Sequence, residues 1–175
     1  MKKRIDLWEY AGEILEQVGT GALVTTKADG QVNTMTIGWG TLGIEWKKPL
    51  FTVFVRQSRY TKTLLDKNGE FTINVPGRGV DRKALLGYCG SKSGRDVDKI
   101  KELGLHLEAP EVISVPGIKE FPITLECRVV YKQDQELNAL DEDKRLHYYK
   151  PGTHDDGDFH TAYYGEVLAA YIIED

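Results

Sequence analysis

Three short stretches of the chain carry side chains able to do chemistry. Arg56 to Thr61, RQSRYT, sets two guanidinium groups and the hydroxyls of Ser58, Tyr60 and Thr61 just after an apolar run and at a helix start. Free N–H groups and the positive end of a helix macrodipole attract phosphate there. The ordinary alternative is a solvated loop with a Ser cap. Asn33 to Gly40, NTMTIGWG, offers backbone amides with little side-chain bulk, alternating Thr hydroxyls and one Trp able to cover a planar ring. Its alternative is an edge strand with Gly kinks and a core Trp. Cys89 to Lys99, CGSKSGRDVDK, is a Gly/Ser loop bearing Lys and Arg that departs from G-x-x-x-x-G-K-[ST], and no G-x-G-x-x-G follows a strand. P-loop and dinucleotide-fold chemistry are therefore set aside. A phosphate clamp, a ring-covering strand and a basic loop together suit a phosphorylated planar ligand.

Other candidates carry less. His147, His154 and His160 share a segment with Asp155, Asp156 and Asp158, but their spacing fits no short zinc signature, so no metal is expected. Cys89 has no second Cys nearby and reads as structural. Tyr148, Tyr149, Tyr163 and Tyr164 read as core or dimer surface rather than a base-stacking platform. With 23 basic and 27 acidic residues the net charge is -4, which leaves no surplus cation to neutralise a nucleic-acid backbone or an anionic membrane.

These residues need elements to position them. At 175 residues and 41% hydrophobic composition the chain has the length and composition of one globular domain. Leu7, Tyr10, Ala11, Ile14, Leu15 and Val18 fall at helical spacing, with Asp6 as N-cap and Glu9 as its capping-box partner. GALVTTK reads as a strand entering an Asp29-Gly30 turn, and QVNTMTIGWGTLGI as its partner strand. After a Lys47-Lys48-Pro49 turn comes the strand LFTVFV. A helix YTKTLLDKNG with Ser58 near its N-cap follows, then the strand EFTINV. Helical pieces DRKALLGY and VDKIKELG come next, the second capped by Ser93 with Asp96 and stopped at Gly104. The strands FPITLECRVVYKQ and HTAYYGEVLAAYII close the chain, with a charged connection between them. About six strands joined by hairpins and short helices predict a closed antiparallel barrel. No apolar run is long enough to span a bilayer, no signal-peptide core follows MKKRIDLWEY, and the two separated Cys suit a reducing compartment, so a cytoplasmic location is expected.

From about Leu15 to Ile173 the sequence resembles the flavin reductase-like, FMN-binding split-barrel family, in particular its flavoredoxin and NAD(P)H:flavin oxidoreductase branch. Four ordered signals carry the likeness. They are the Thr/Trp strand after the first hairpin, Arg-x-Ser-x-Tyr-Thr followed by a Thr-Ile-Asn-Val strand, Ser-Gly-Arg-x-x-Asp-Lys, and the final Gly-Glu-Val strand. The resemblance implies one domain over residues 1–175, mainly β with helices: an antiparallel, Greek-key-type six-stranded barrel with flanking helices. It implies that Arg56, Ser58 and Thr61 hold the FMN phosphate with Tyr60 nearby, that Asn33, Thr34, Met35, Thr36 and Trp39 border the isoalloxazine, and that Arg95 and Lys99 lie near the flavin. His160 follows Gly157-Asp158-Phe159, one residue longer than the Gly-Asp-His of many members, so its place beside the cofactor stays open. The implied activity is an FMN-dependent oxidoreductase taking hydride from NAD(P)H and passing electrons to flavin or another acceptor, built as a homodimer. A flavoredoxin-like electron-transfer protein reduced by a redox partner protein, and a non-catalytic flavin or haem-like carrier, are the alternatives.

Overall fold

The computed structural model describes residues 1–174. In chain order the elements are β1 (Lys2–Arg4), α1 (Leu7–Thr20), β2 (Ala22–Ala28), β3 (Gln31–Ile37), β4 (Gly40–Glu45), β5 (Lys48–Arg56), α2 (Tyr60–Lys67) and β6 (Glu70–Val75). They continue with α3 (Lys83–Ser91), α4 (Lys99–Glu102), β7 (Leu107–Glu108), β8 (Gly117–Ile118), β9 (Ile123–Asp134), α5 (Glu142–Tyr148) and β10 (His160–Ile173). The main sheet runs β3-β2-β6-β9-β10-β5-β4 with β1 on β10, all antiparallel, and β7 pairs with β8 apart from it.

The strands form because apolar and small residues alternate between two buried faces. In β2, Leu23 joins a cluster with Cys89, Leu105, Ile118 and Phe121 outside the barrel, whereas Val24 joins Met35, Phe51, Phe71, Ile73, Leu125 and Tyr163 inside it. α1 presents Ile14 and Val18 to the inner core, and Asp6 accepts from the Trp8 amide to start it. Asp29 and Gly30 both take positive φ, which the hairpin between β2 and β3 requires. Among the described residues no helix is long and apolar enough to cross a membrane.

The fold is the expected mainly antiparallel sheet with helices, but several expectations change. The barrel is split rather than closed. Its two end strands, β3 and β4, follow each other in the chain through Gly38 and Trp39, and no ladder joins them among the described residues. The run expected as one strand breaks there, and Gly40, which opens β4, lies so close to Phe51 that a Cβ would sit 2.6 Å from Phe51 Cζ. The free edge of β3 is covered by α3 and α4 instead. Lys99 Nζ donates to the Thr34 carbonyl at 2.9 Å, so a side chain satisfies a β3 backbone acceptor, and Thr36 Oγ1 fastens α3 to the strand by donating to the Leu86 carbonyl at 2.6 Å.

Eight strands rather than six compose the main sheet, since the broken strand counts twice and β1 joins β10. The expected Lys47-Lys48-Pro49 turn is shifted: Trp46 and Lys47 make it, at positive φ, and Lys48 already pairs with Glu45. Ser58 stands next to the N-cap of α2, as expected; the cap position itself is Arg59, without a side-chain bond, and the Ser58 hydroxyl donates to Asp158. Asp98, not Ser93 with Asp96, caps α4 through the Lys101 amide. The charged connection before β10 contains α5, capped by Asp141.

Gly165 faces Phe71 across the sheet, at a register shift between β9 and β10. A Cβ there would sit 2.7 Å from Phe71 Cε1 and 2.9 Å from Cys127 Cβ, all in a fully buried layer. Gly165→Ala is expected to destabilise the fold by about 1–3 kcal/mol. Gly12→Ala, in α1 with nothing within 4 Å of the added Cβ, is expected to stabilise it by about 0.5–1 kcal/mol. Urea unfolding of the two variants checks both signs.

Candidate functional site

Two cavities meet beside the seam between β3 and β4, sharing Met35 and Arg59 in their walls. The first, about 180 Å³, is bordered by the backbone strip Met35 to Trp39 with Phe54, Arg56, Arg59 and His160. The second, about 100 Å³, is lined by Asn33, Met35, Ser58, Arg59, Tyr60, Thr61, Gly90, Lys92, Ser93, Gly94, Arg95 and Lys99. Four cations and no carboxylate are in that wall.

The second cavity is built by packing the α3–α4 loop onto α2. Tyr60 and Thr61, whose amides begin α2, line that cavity, and the first turn of a helix carries amides without intrahelical acceptors. Asn33 Nδ2 donates to Thr61 Oγ1 at 3.0 Å, leaving the Thr61 hydroxyl proton free to donate. Gly94 lies on Asn33 and Tyr60 so closely that a Cβ would collide with Asn33 Oδ1 and sit 2.8 Å from Tyr60 Cδ1. Arg95 bridges across, donating to the Ser58 carbonyl at 2.9 Å with its guanidinium 5.4 Å from the Tyr60 ring centre. Lys99, only 4% exposed, donates to the Thr34 and Cys89 carbonyls at 2.9 and 2.7 Å, which leaves one ammonium proton uncommitted. Burial, and secondarily the charge of Arg59, pull its pKa down. Burial likewise pushes the Cys89 thiol up, so it stays protonated.

At the first cavity the Arg56 guanidinium is engaged by the segment after α5. It contacts Asp155 Oδ1 at 3.0 Å and donates to the Tyr148 carbonyl at 3.0 Å. The Ser58 amide and hydroxyl both reach the Asp158 carboxylate, at 2.9 and 2.7 Å. This holds Tyr148 edge-on to Trp39, ring centres 5.0 Å apart, while Trp39 also lies 5.0 Å from His160. His160 touches the Tyr149 hydroxyl through Nδ1, and its pKa is lowered to about 4 by burial first and the Arg56 charge second.

The sequence-derived residues are thus distributed between the two cavities. Asn33, Ser58, Tyr60, Thr61, Arg95 and Lys99 line the cationic one, Thr36, Trp39, Arg56 and His160 the flatter one, and Met35 both. Thr34 is buried, its hydroxyl bonded within β2 and β3, and reaches the site only through the carbonyl that Lys99 holds. Arg59, Lys92, Ser93, Gly94 and Phe54 were not singled out, although Arg59 is the second guanidinium of RQSRYT. Among the described residues no three His, Cys, Asp or Glu side chains group as metal ligands.

The fold has counterparts in known proteins. The flavin reductase like domain profile matches residues 18–175. The chain belongs to the flavin reductase like family. Flavoredoxin from Methanosarcina acetivorans superposes with a TM-score of 0.65 at 29% identity, covering 88% of this chain and 68% of that one. The FMN-binding protein of Thermus thermophilus gives 0.63 at 25%, covering 88% and 71%. An uncharacterised protein of Archaeoglobus fulgidus is 32% identical over 115 residues, 66% of this flavin reductase like chain. That match spans 63% of the relative's own length.

In this flavin reductase like domain the depressed His160 pKa has a stability consequence. The unfolded chain takes up a proton near 6.5 that the folded chain refuses until about 4, so stability falls as pH drops through that window and is fully present above it. The loss by about pH 5 is up to about 2 kcal/mol. Urea unfolding near neutrality and at that pH is expected to show this loss in the parent, and less of it by that amount in His160→Gln.

Proposed function

We propose that this chain is an FMN-dependent oxidoreductase that takes reducing equivalents from NAD(P)H and passes them to free flavin or another acceptor. The observation that carries the reading is the cavity walled by Arg59, Lys92, Arg95 and Lys99 without a carboxylate, continuous at Met35 and Arg59 with a backbone-bordered cavity under Trp39. A dianionic phosphate suits the cationic cavity, and a planar ring suits the cavity under Trp39, where the Met35 to Trp39 backbone offers amides without bulk. Bound FMN would supply a two-electron carrier that accepts hydride at its N5.

The chain's own residues would then bind, orient and shield. Ser58, Thr61 and the start of α2 supply hydrogen-bond donors to the phosphate alongside Arg59 and Arg95, and Asn33 aligns Thr61. Arg56 acts with them by fastening the Asp155 to Asp158 segment beside Ser58. Lys99, fixed by two carbonyls, contributes a positive charge that favours whichever redox form of the ring carries more negative charge. Trp39 and Tyr148 restrict access to the ring face, which keeps donor and acceptor rings in register.

The likeness to flavoredoxin supports a second reading, in which a partner protein rather than NAD(P)H delivers the electrons. We place both readings in one domain acting in a reducing cytoplasm, where Cys89 and Cys127 remain free thiols. The exposed apolar face of Ile44 (71% exposed), Trp46 (58%), Val130 and Tyr131, on which Trp46 and Tyr164 both lie against Tyr131, supports a homodimer.

Anaerobic addition of NADH or NADPH to the FMN-loaded protein is expected to bleach the visible flavin band within seconds. Persistence of the band with both nucleotides contradicts direct reduction and favours the partner-protein reading. In the same preparation Arg59→Ala is expected to raise the FMN Kd about 10- to 150-fold, as loss of a charge-assisted bond of about 1.5–3 kcal/mol requires.

A further inference from the structure

Beyond holding a phosphorylated ring, the site contains a hydrogen-bonded chain behind the ring cavity that determines which nitrogen of His160 carries the proton. Gln135 Oε1 receives the His160 backbone N–H at 3.1 Å, so the amide oxygen, not the amide nitrogen, must face that N–H. The same oxygen lies 2.7 Å from the Tyr149 hydroxyl. An amide oxygen only accepts, so Tyr149 must donate its single proton to it; otherwise two bare oxygens would face each other at that distance. The Tyr149 hydroxyl also contacts His160 Nδ1. With its proton already committed to Gln135, it can only accept there, and Nδ1 must be the protonated nitrogen.

The other nitrogen, Nε2, has no partner among the described residues. It is also not one of the buried unpaired side-chain atoms, which among the described residues are Thr124 Oγ1 and Tyr171 OH. His160 as a whole is 6% exposed and lines the ring cavity, so the accessible part of its edge is directed there. We propose that Gln135 and Tyr149 are positioning residues that hold His160 as the Nδ1–H tautomer, so that a bare Nε2 accepts a hydrogen bond from an N–H edge of the ligand in the ring cavity. The ligand class this selects is a planar ring bearing an imide or amide N–H, a class that includes flavins and carboxamide-substituted pyridines.

The charged and titratable neighbours agree. Arg56 from β5 and Arg59 at the start of α2 both oppose a second proton on the ring, and Asp158, which favours one, is already bonded to Ser58. Burial raises the Tyr149 pKa, so its hydroxyl keeps the proton that the chain needs. Two of the three members come from segments flanking α5 and β9, which gives the connection before β10 a role apart from covering Trp39.

The inference about the ligand rests on the flavin reading, whereas the tautomer does not. Nitrogen NMR of the full chain with labelled histidine, at about pH 8 and with His160 assigned by its loss in His160→Gln, reads the tautomer directly. The free protein is expected to show a protonated Nδ1 and a bare Nε2. Gln135→Leu, which frees the Tyr149 proton to go to Nδ1, is expected to move the proton to Nε2, and Gln135→Glu, which keeps an acceptor, to leave it on Nδ1. Added FMN is expected to shift the Nε2 resonance of the parent without moving the proton, and Gln135→Leu to bind FMN about tenfold more weakly. A parent spectrum with the proton on Nε2, or no change in Gln135→Leu, overturns the assignment. FMN binding that leaves Nε2 unshifted overturns its role as acceptor. FMN that perturbs no resonance at all overturns the flavin reading, while the free-protein spectrum still decides the tautomer.

Discussion

Like charges gathered without a counterion are held together only at a cost, and the structure gathers Arg59, Lys92, Arg95 and Lys99 around one small cavity with no carboxylate in its wall. Elsewhere on the chain, cations close to acids form pairs: Lys62 and Lys132 with Asp66, Arg128 with Glu70, Arg4 with Glu111. Even Arg56, one strand end away, is neutralised by Asp155. The four cavity cations form no ion pair among the described residues, and because they share one cavity wall an anionic ligand group is the simplest physical compensation for their mutual repulsion. Much of the architecture around the seam can be understood as the means of keeping those charges in place.

The split in the barrel is central to that arrangement. Had β3 and β4 been zipped together, the Thr34 carbonyl would face a strand and Lys99 would have no seat. Because the sheet stops at β3, α3 and α4 pack against it, and the buried Lys99 ammonium bridges the Thr34 carbonyl of the strand and the Cys89 carbonyl of α3. The same gap leaves the Met35 to Trp39 backbone exposed to a ligand. An incomplete ladder, normally a liability, becomes a binding surface here.

The sequence made the strands legible where short runs rich in β-branched and aromatic residues stand between turn residues, as in β2, β5, β6 and β10, because such side chains pack on a pleated sheet buried on both faces. It also exposed the three chemical stretches, since Gly, Thr, Trp and Arg at a strand end have few purely structural explanations in combination. The break at Gly38-Trp39 was not legible: Thr and Gly are compatible with a continuous strand, and the contact of Gly40 with Phe51 exists only in three dimensions. Nor was the division of labour between Arg56 and Arg59. Both guanidiniums stand in RQSRYT, but which one is neutralised depends on Asp155, about a hundred positions later, and that pairing has no local signature. The Gln135, Tyr149 and His160 chain was hidden for the same reason, its members lying in three separate segments.

The account therefore turns on charge in the ligand's tail. Calorimetric titration of the ligand-free protein with FMN and with riboflavin, which share the ring and differ by the phosphate, isolates it. FMN is expected to bind at least about a hundredfold more tightly, with the advantage shrinking as salt is raised. Equal affinity for the two, unchanged by salt, would contradict the assignment of the cationic cavity to an anionic group.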